Sequence, residues 1–212
     1  MYDYNLTLIT PPAAEPLALA DIKQYLRIDT DMTGDDAYIT ALITVARQYC
    51  EDFQHRAYIT QTWELALSKF PRGENDRLND NQQRPIIEIP KGNLQSIVSF
   101  SYTDYSGTVS TLASPTNYLI STRGILGRLI PPYGVIWPST PLLPIDPIVI
   151  RYICGYGDSA DKIPQKIIQA MMMLVSHWYA NRMVINDLRG VVPDEISFAV
   201  TALLYLDRII TL

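Results

Sequence analysis

Two histidines, two cysteines and a group of aspartates are the residues of this 212-residue chain whose types suit chemistry. A histidine works as an acid or base on a nucleophile only when that nucleophile or a carboxylate stands beside it. His177 is followed by Trp178 and Tyr179 in an apolar stretch, so it reads as a hydrogen-bonded structural residue. The sequence holds no Gly-x-Ser-x-Gly elbow, no His-Glu-x-x-His pair and no P-loop. Asp29, Asp31, Asp35 and Asp36 offer carboxylates, but without the ordered oxygen spacing and closing glutamate of a calcium loop. Helix capping accounts for Asp35-Asp36 better. Gly155-Tyr156-Gly157 lacks the third glycine and the immediate helix of a dinucleotide fingerprint and reads as a turn. Cys50 and Cys154 stand in no metal-ligand spacing and read as two reduced, buried thiols. No catalytic, cofactor or metal residue is assigned, and the chain reads as a non-enzyme.

The composition, 48% hydrophobic and 18% charged, is that of a folded domain rather than a disordered chain. At this length roughly 70% of the unfolded surface can be buried. The longest apolar stretches are too short to cross a bilayer, and the opening Met-Tyr-Asp-Tyr-Asn lacks the basic and apolar regions of a signal peptide. The expectation is a soluble protein made in a cytoplasm, without a membrane partner. The net charge of -5 is unevenly placed: residues 1–60 hold nine acids against four bases, and the remainder balances at thirteen each. Gripping DNA needs clustered Lys and Arg to displace counterions from phosphate, and no such cluster exists. An acidic wall does suit DNA that passes without sticking.

The elements that would position these residues follow from periodicity. Residues 3–9 alternate weakly and stop at Pro11-Pro12, an extended arm or edge strand whose partner can be another subunit. Leu19, Ile22 and Leu26 mark a short amphipathic helix. Thr33 offers a hydroxyl cap to a longer helix, and Ile39, Leu42, Ile43, Ala46, Cys50 and Phe53 keep a 3.6 period to about Gln54. The period then becomes two: Trp63, Leu65 and Leu67 share one strand face. A polar loop spans 72–84, and short strands resume at 85–90, 94–105, 108–112, 118–121, 128–130 and 148–153, with Val98, Phe100 and Tyr102 alternating against Ser99 and Ser101. Pro164 opens a helix that is apolar on most sides and runs to about Arg182, and Pro193 opens the last one. The fold class is therefore α+β: a helical core built from 1–59 and 156–212, with an antiparallel β module inserted at 60–155.

Four short runs, in order, carry a family resemblance. They are Glu15-Pro16-Leu17 through Leu26-Arg27-Ile28-Asp29, Ala41-Leu42-Ile43 through Tyr49-Cys50-Glu51, Ile59-Thr60-Gln61-Thr62-Trp63, and Ile163-Pro164 through His177-Trp178-Tyr179 with Asn181-Arg182. In these the chain resembles the gp6-like and phiE125 gp8-like head-tail connector families of tailed phages. The family's usual acid between the Tyr and Asn of the last run is replaced by Ala180, which removes any charge contact from that position.

The resemblance implies a structural adaptor of the virion's head-tail junction. It would form a ring homo-oligomer, dodecameric in the virion, below the portal protein, extending the DNA channel and offering a platform to the next connector or tail protein. DNA would be passing cargo only. Trp63, His177, Trp178, Tyr179 and Arg182 stand as structural signature residues, and Asp35, Asp36, Arg47, Glu51 and Asp52 as a candidate subunit interface. Heterologous contacts close into a ring only if each subunit carries two different complementary faces. Two alternatives stay open: a β module that binds a ligand such as a sugar through Tyr102, Tyr105, Tyr118, Tyr133 and Trp137, and an enzyme with a dispersed site.

Overall fold

A computed structural model describes residues 4–71, 85–181 and 194–209, and for 194–198 the backbone alone. The polar loop 72–84, the link 183–192, Arg182 and the helix-opening Pro193 lie outside the described residues. The fold is α+β, as the periodicities predict. Contacts divide the chain into two units, Met1–Pro11 with Thr60–Gly155, and Pro12–Ile59 with Tyr156–Leu212.

The first unit is β. Its larger sheet is organised by two strands, β2 (Gln61–Leu67) and β8 (Ile148–Cys154), which run antiparallel from Gln61 opposite Cys154 to Leu67 opposite Ile148. Alternation sorts their side chains. Ile148, Ile150, Tyr152 and Cys154 are buried with Gln61, Leu65 and Leu67, while the opposite face carries Arg151 paired with Glu64 at 2.7 Å. Beyond β8 lie β4 (Leu94–Thr103) and β5 (Val109–Thr111), and beyond β2 lies β1 (Tyr4–Thr10). A smaller antiparallel sheet holds β3 (Ile87–Ile89), β7 (Gly127–Ile130) and β6 (Leu119–Ser121) in the order β3-β7-β6. The single antiparallel set expected from the strand pattern is thus two sheets.

Two further expectations change here. The arm expected with the helices, with another subunit as a candidate partner, is an edge strand of this chain's own sheet. It lies there because Tyr4, Leu6 and Leu8 sit opposite Leu67, Leu65 and Trp63, apolar against apolar. In β4 the alternation predicts Val98 beside Phe100, but a bulge between Ile97 and Ser99 inserts one residue and reverses the phase. Phe100 is buried at 1% exposure and Val98 is turned out at 55%.

Aromatic packing fills the β unit. Phe70 stacks on Trp137 at 5.5 Å and 12°, Phe100 meets Tyr118 at 5.1 Å, and Tyr102 lies edge-on to Phe70 at 5.7 Å. Each such pair adds roughly 0.5–1.5 kcal/mol beyond area burial. The Trp137 indole N–H donates to the Pro85 carbonyl at 2.8 Å, so its polar atom is not stranded. At the β4–β5 turn, Asp104 accepts from the backbone N–H groups of Ser106 and Thr108, both at 2.9 Å, and Gly107 takes φ +85.

The second unit is helical: α1 (Leu19–Leu26), α2 (Asp36–Gln54), α3 (Gln165–Ala180) and α4 (Asp194–Tyr205), with a short 3-10 turn at Ala160–Lys162. The nearly all-round apolar α3 is the central helix and packs against the other three. Ile22, Ile39, Ile43, Ile167, Met171 and Val175 are buried around it. Helices α1 and α2 each end on a left-handed residue, Arg27 at φ 58 and His55 at φ 55, whose N–H returns to the last turn. The expected Thr33 side-chain cap is not formed. Helix α2 starts two residues later than that cap requires, with Asp35 at its N-cap position and the Thr33 carbonyl accepting from Asp36 N–H. The α1–α2 connection is instead held by Lys23, buried at 3% exposure. Its ammonium spends three donors on the Thr30 carbonyl (3.1 Å), the Met32 carbonyl (2.8 Å) and the Asp36 carboxylate (2.9 Å).

Candidate functional site

The His177-Trp178-Tyr179 run occupies the last turn of α3 and fastens it to α2. Tyr179 donates its hydroxyl to Asp35 at 2.6 Å, its ring lies 6.2 Å from that of Tyr38, and the Tyr38 hydroxyl donates to the Trp178 carbonyl at 3.4 Å. About three turns further along α2, Tyr49 meets Trp178 edge-on at 6.0 Å. His177 is half-buried, and Asn181 bonds back to its carbonyl at 2.9 Å and to its Nδ1 at 3.3 Å. These contacts are helix-to-helix packing, with no nucleophile among them.

The charged residues expected at a subunit interface are mostly spent within the chain. Arg47, 7% exposed, binds Glu15 at 2.8 Å and Glu51 at 2.8 Å, and Glu51 also accepts from the Tyr58 backbone N–H at 2.8 Å. Asp35 serves Tyr179 and Asp36 serves Lys23. Asp52 is exposed. Arg47 and Glu51 therefore form an ion cluster within the helical unit, with Glu15 at its more exposed side. Burial works against the charge on Arg47, yet the Glu15 and Glu51 carboxylates outweigh it and raise the guanidinium above its ordinary value.

A second buried polar cluster escapes sequence reasoning. Gln54 donates to the Leu204 carbonyl at 2.6 Å and accepts from the Tyr58 hydroxyl at 2.8 Å, while its own carbonyl accepts from Ile209 N–H at 3.0 Å. Arg56 donates to the Asp207 carbonyl at 2.7 Å, and the Asp207 carboxylate pairs with Lys166 at 2.7 Å. Together these anchor the segment after α4 to the end of α2. The i,i+4 spacing of Arg47 and Glu51 was a readable signal for the first cluster. The second joins residues about 150 positions apart and left no local trace.

Trp63 and Trp178 are half-buried, Trp178 against the helical core, and Trp137 is buried at 6% exposure. Lys91 lies 4.8 Å over the Trp63 ring and the indole N–H donates to Gln61 at 2.9 Å, so this tryptophan covers the end of the sheet. The aromatics weighed for ligand binding do not form one surface. Trp137 and Tyr118 are buried, Tyr102 packs on Phe70, and Tyr105 and Tyr133 stand out in solvent. Two depressions in the described surface, of about 180 Å³ beside Trp137 and about 290 Å³ beside His177, are smaller than the roughly 300–1,000 Å³ of ligand pockets. Among the described residues no group of three His, Cys, Asp or Glu is placed to hold a metal ion, and no helix is long and apolar enough to cross a membrane.

Residues 17–111 match the sequence profile of the Phage gp6-like head-tail connector protein family. That stretch is 95 of the chain's 212 residues, so the match is a likeness over a little under half of it. The connector match takes in α1, α2 and β2 to β5, with Asp35, Asp36, Arg47, Glu51, Asp52 and Trp63, and stops short of His177, Trp178, Tyr179 and Arg182. No curated protein matches the sequence. Solved structures extend the likeness to the whole chain. A chain from the neck of an empty GTA particle, computed with C6 symmetry, superposes with a TM-score of 0.74 at 19% identity, over 98% of this chain and 97% of that one. A chain from the neck of a native GTA particle, computed with C12 symmetry, gives 0.72 at 19% over the same shares. A chain from the virion of a native gene transfer agent particle gives 0.72 at 20%, over 98% of this chain and 96% of that one. At such identity the likeness is one of fold.

Proposed function

We propose that this chain is a structural subunit of a virion's head-tail junction. Copies of it form a closed ring below the portal protein, twelve in the assembled particle, extending the DNA channel and presenting a platform to the next connector or tail protein. The chain is made in the cytoplasm of the bacterial host. The observation that carries this reading is the end-to-end fold match to neck chains of particles computed with C12 and C6 symmetry, which leaves neither unit of this chain outside it.

The charge arrangement of the helical unit supports DNA as cargo rather than ligand. Lys23, Arg47 and Arg56 are buried, while Asp21, Asp29, Asp31 and Asp52 are exposed. This part of the surface is therefore more acidic than the sequence alone conveys, and phosphate finds few cations there. The test is light scattering over a concentration series, with negative-stain images of the large species and a pull-down with the matching portal. Closed rings with an open centre that bind portal are the expected result. A chain that remains monomeric and ignores the portal would overturn the reading.

A further inference from the structure

The larger sheet ends on an edge strand, β1, that is irregular between Leu8 and Thr10 but carries neither lysine nor proline. Strand β1, Tyr-Asn-Leu-Thr-Leu-Ile-Thr, is seven residues long, contains no charge and no proline, and pairs with β2 on one side only among the described residues. Tyr4 and Leu8, on one face of the strand, and Ile9, in the bulge, are each about two-fifths exposed. Native proteins shield such edges with lysine, proline, bulges or a covering strand, because an open row of N–H and C=O groups recruits another chain. At the far side of the unit's smaller sheet, β6 has the same character. It pairs only with β7 among the described residues, carries no charge, and exposes Leu119 on one face and Ile120 on the other. The remaining edges differ: β3 carries Glu88 paired with Arg128, and β5 shows one large apolar residue, Val109.

Resting on the ring reading above, we infer that the free edge of β1 in one copy pairs with the free edge of β6 in the next copy. A ring needs two different faces that complement each other, and these strands are two different edges of one chain, open among the described residues, uncharged and with exposed apolar side chains. Backbone hydrogen bonds would give the contact its strength and the alternate side chains its register.

The test uses two variants of the full chain, Leu8→Lys on β1 and Ile120→Lys on β6. Both positions are about two-fifths exposed, and circular dichroism and the unfolding temperature show whether each variant keeps the wild-type fold. If either lysine lowers the unfolding temperature, Thr7→Lys and Leu119→Lys carry the same test. Each variant alone is expected to form no ring at protein concentrations up to about tenfold above those at which the wild type does, the penalty of placing a charge in the contact. An equal mixture is expected to give two-chain species and nothing larger, because one intact β1 meets one intact β6 and both outer edges are blocked. Rings from either variant, or a mixture that stays monomeric, overturn the strand pairing while wild-type rings leave the ring reading standing. A wild type that never forms rings overturns both.

Discussion

Arg47 shows how a charged residue can be structural in a protein whose surface matters most. Its guanidinium is 8% exposed and lies between the carboxylates of Glu15 and Glu51, with Glu51 reaching on to the Tyr58 backbone. Removing one partner of a buried pair strands the others, at a cost of roughly 3–5 kcal/mol. Arg47→Ala should therefore lower the midpoint of urea unfolding sharply, whereas Asp52→Ala, at an exposed site, should leave it nearly unchanged; equal effects would contradict the internal placement. The two thiols make a second residue-scale prediction. Cys50 and Cys154 are both buried, and burial, with Glu51 nearby, pushes the Cys50 thiol up to about 12. A disulfide reagent at pH 8 should find almost no reactive thiol in the native chain and two after denaturation. The sign of the linkage follows: the folded chain holds the Cys50 proton beyond the ordinary thiol value of ~8.5, so this contribution to stability is complete below that value and declines as pH rises from there toward about 12.

At the scale of elements, the two sheets of the β unit touch where Gly127 of β7 meets Leu94 of β4. A Cβ at Gly127 would stand 2.4 Å from the Leu94 side chain. Gly127→Ala should destabilise the chain by about 1–3 kcal/mol, and Leu94→Ala in the same chain should recover part of the loss, because overpacking is relieved by removing the obstructing atoms. Additive losses in thermal unfolding would contradict this contact. Element type and extent were legible from periodicity: α1, α2, α3 and most strands fall within a residue or two of expectation. Partnership was not. Nothing local to residues 4–10 says that they pair with 61–67, and a bulge such as that at Val98 reverses a face without disturbing the alternation on either side. The cap at Thr33 was misread because Asp35 has a stronger tertiary bond, to Tyr179, than any local signal discloses. The signature run was visible as a pattern, but its contacts with Tyr38 and Tyr49 join residues more than 120 positions apart.

For the molecule as a whole, the inward turn of Lys23, Arg47 and Arg56 sets an expectation about nucleic acid. Binding to duplex DNA, followed by fluorescence anisotropy, should be weaker than the non-specific range of about 10⁻⁴–10⁻⁶ M at physiological salt, with little of the steep salt dependence that phosphate contacts produce. Tight, salt-sensitive binding would mean that a basic surface forms elsewhere on the chain. The assembled state was the least legible level, since composition and spacing point to no subunit count and the internal ion cluster had resembled a docking face in the sequence.

The helical unit is left at Ile59 and re-entered at Tyr156, and these points touch. Tyr156 N–H donates to the Tyr58 carbonyl at 2.8 Å, and Ile59 bridges to Gly157. Strands β2 and β8 leave from there side by side. The helical unit thus closes on itself at this point, and a change of length in a loop between β2 and β8 leaves both of its chain ends where they are.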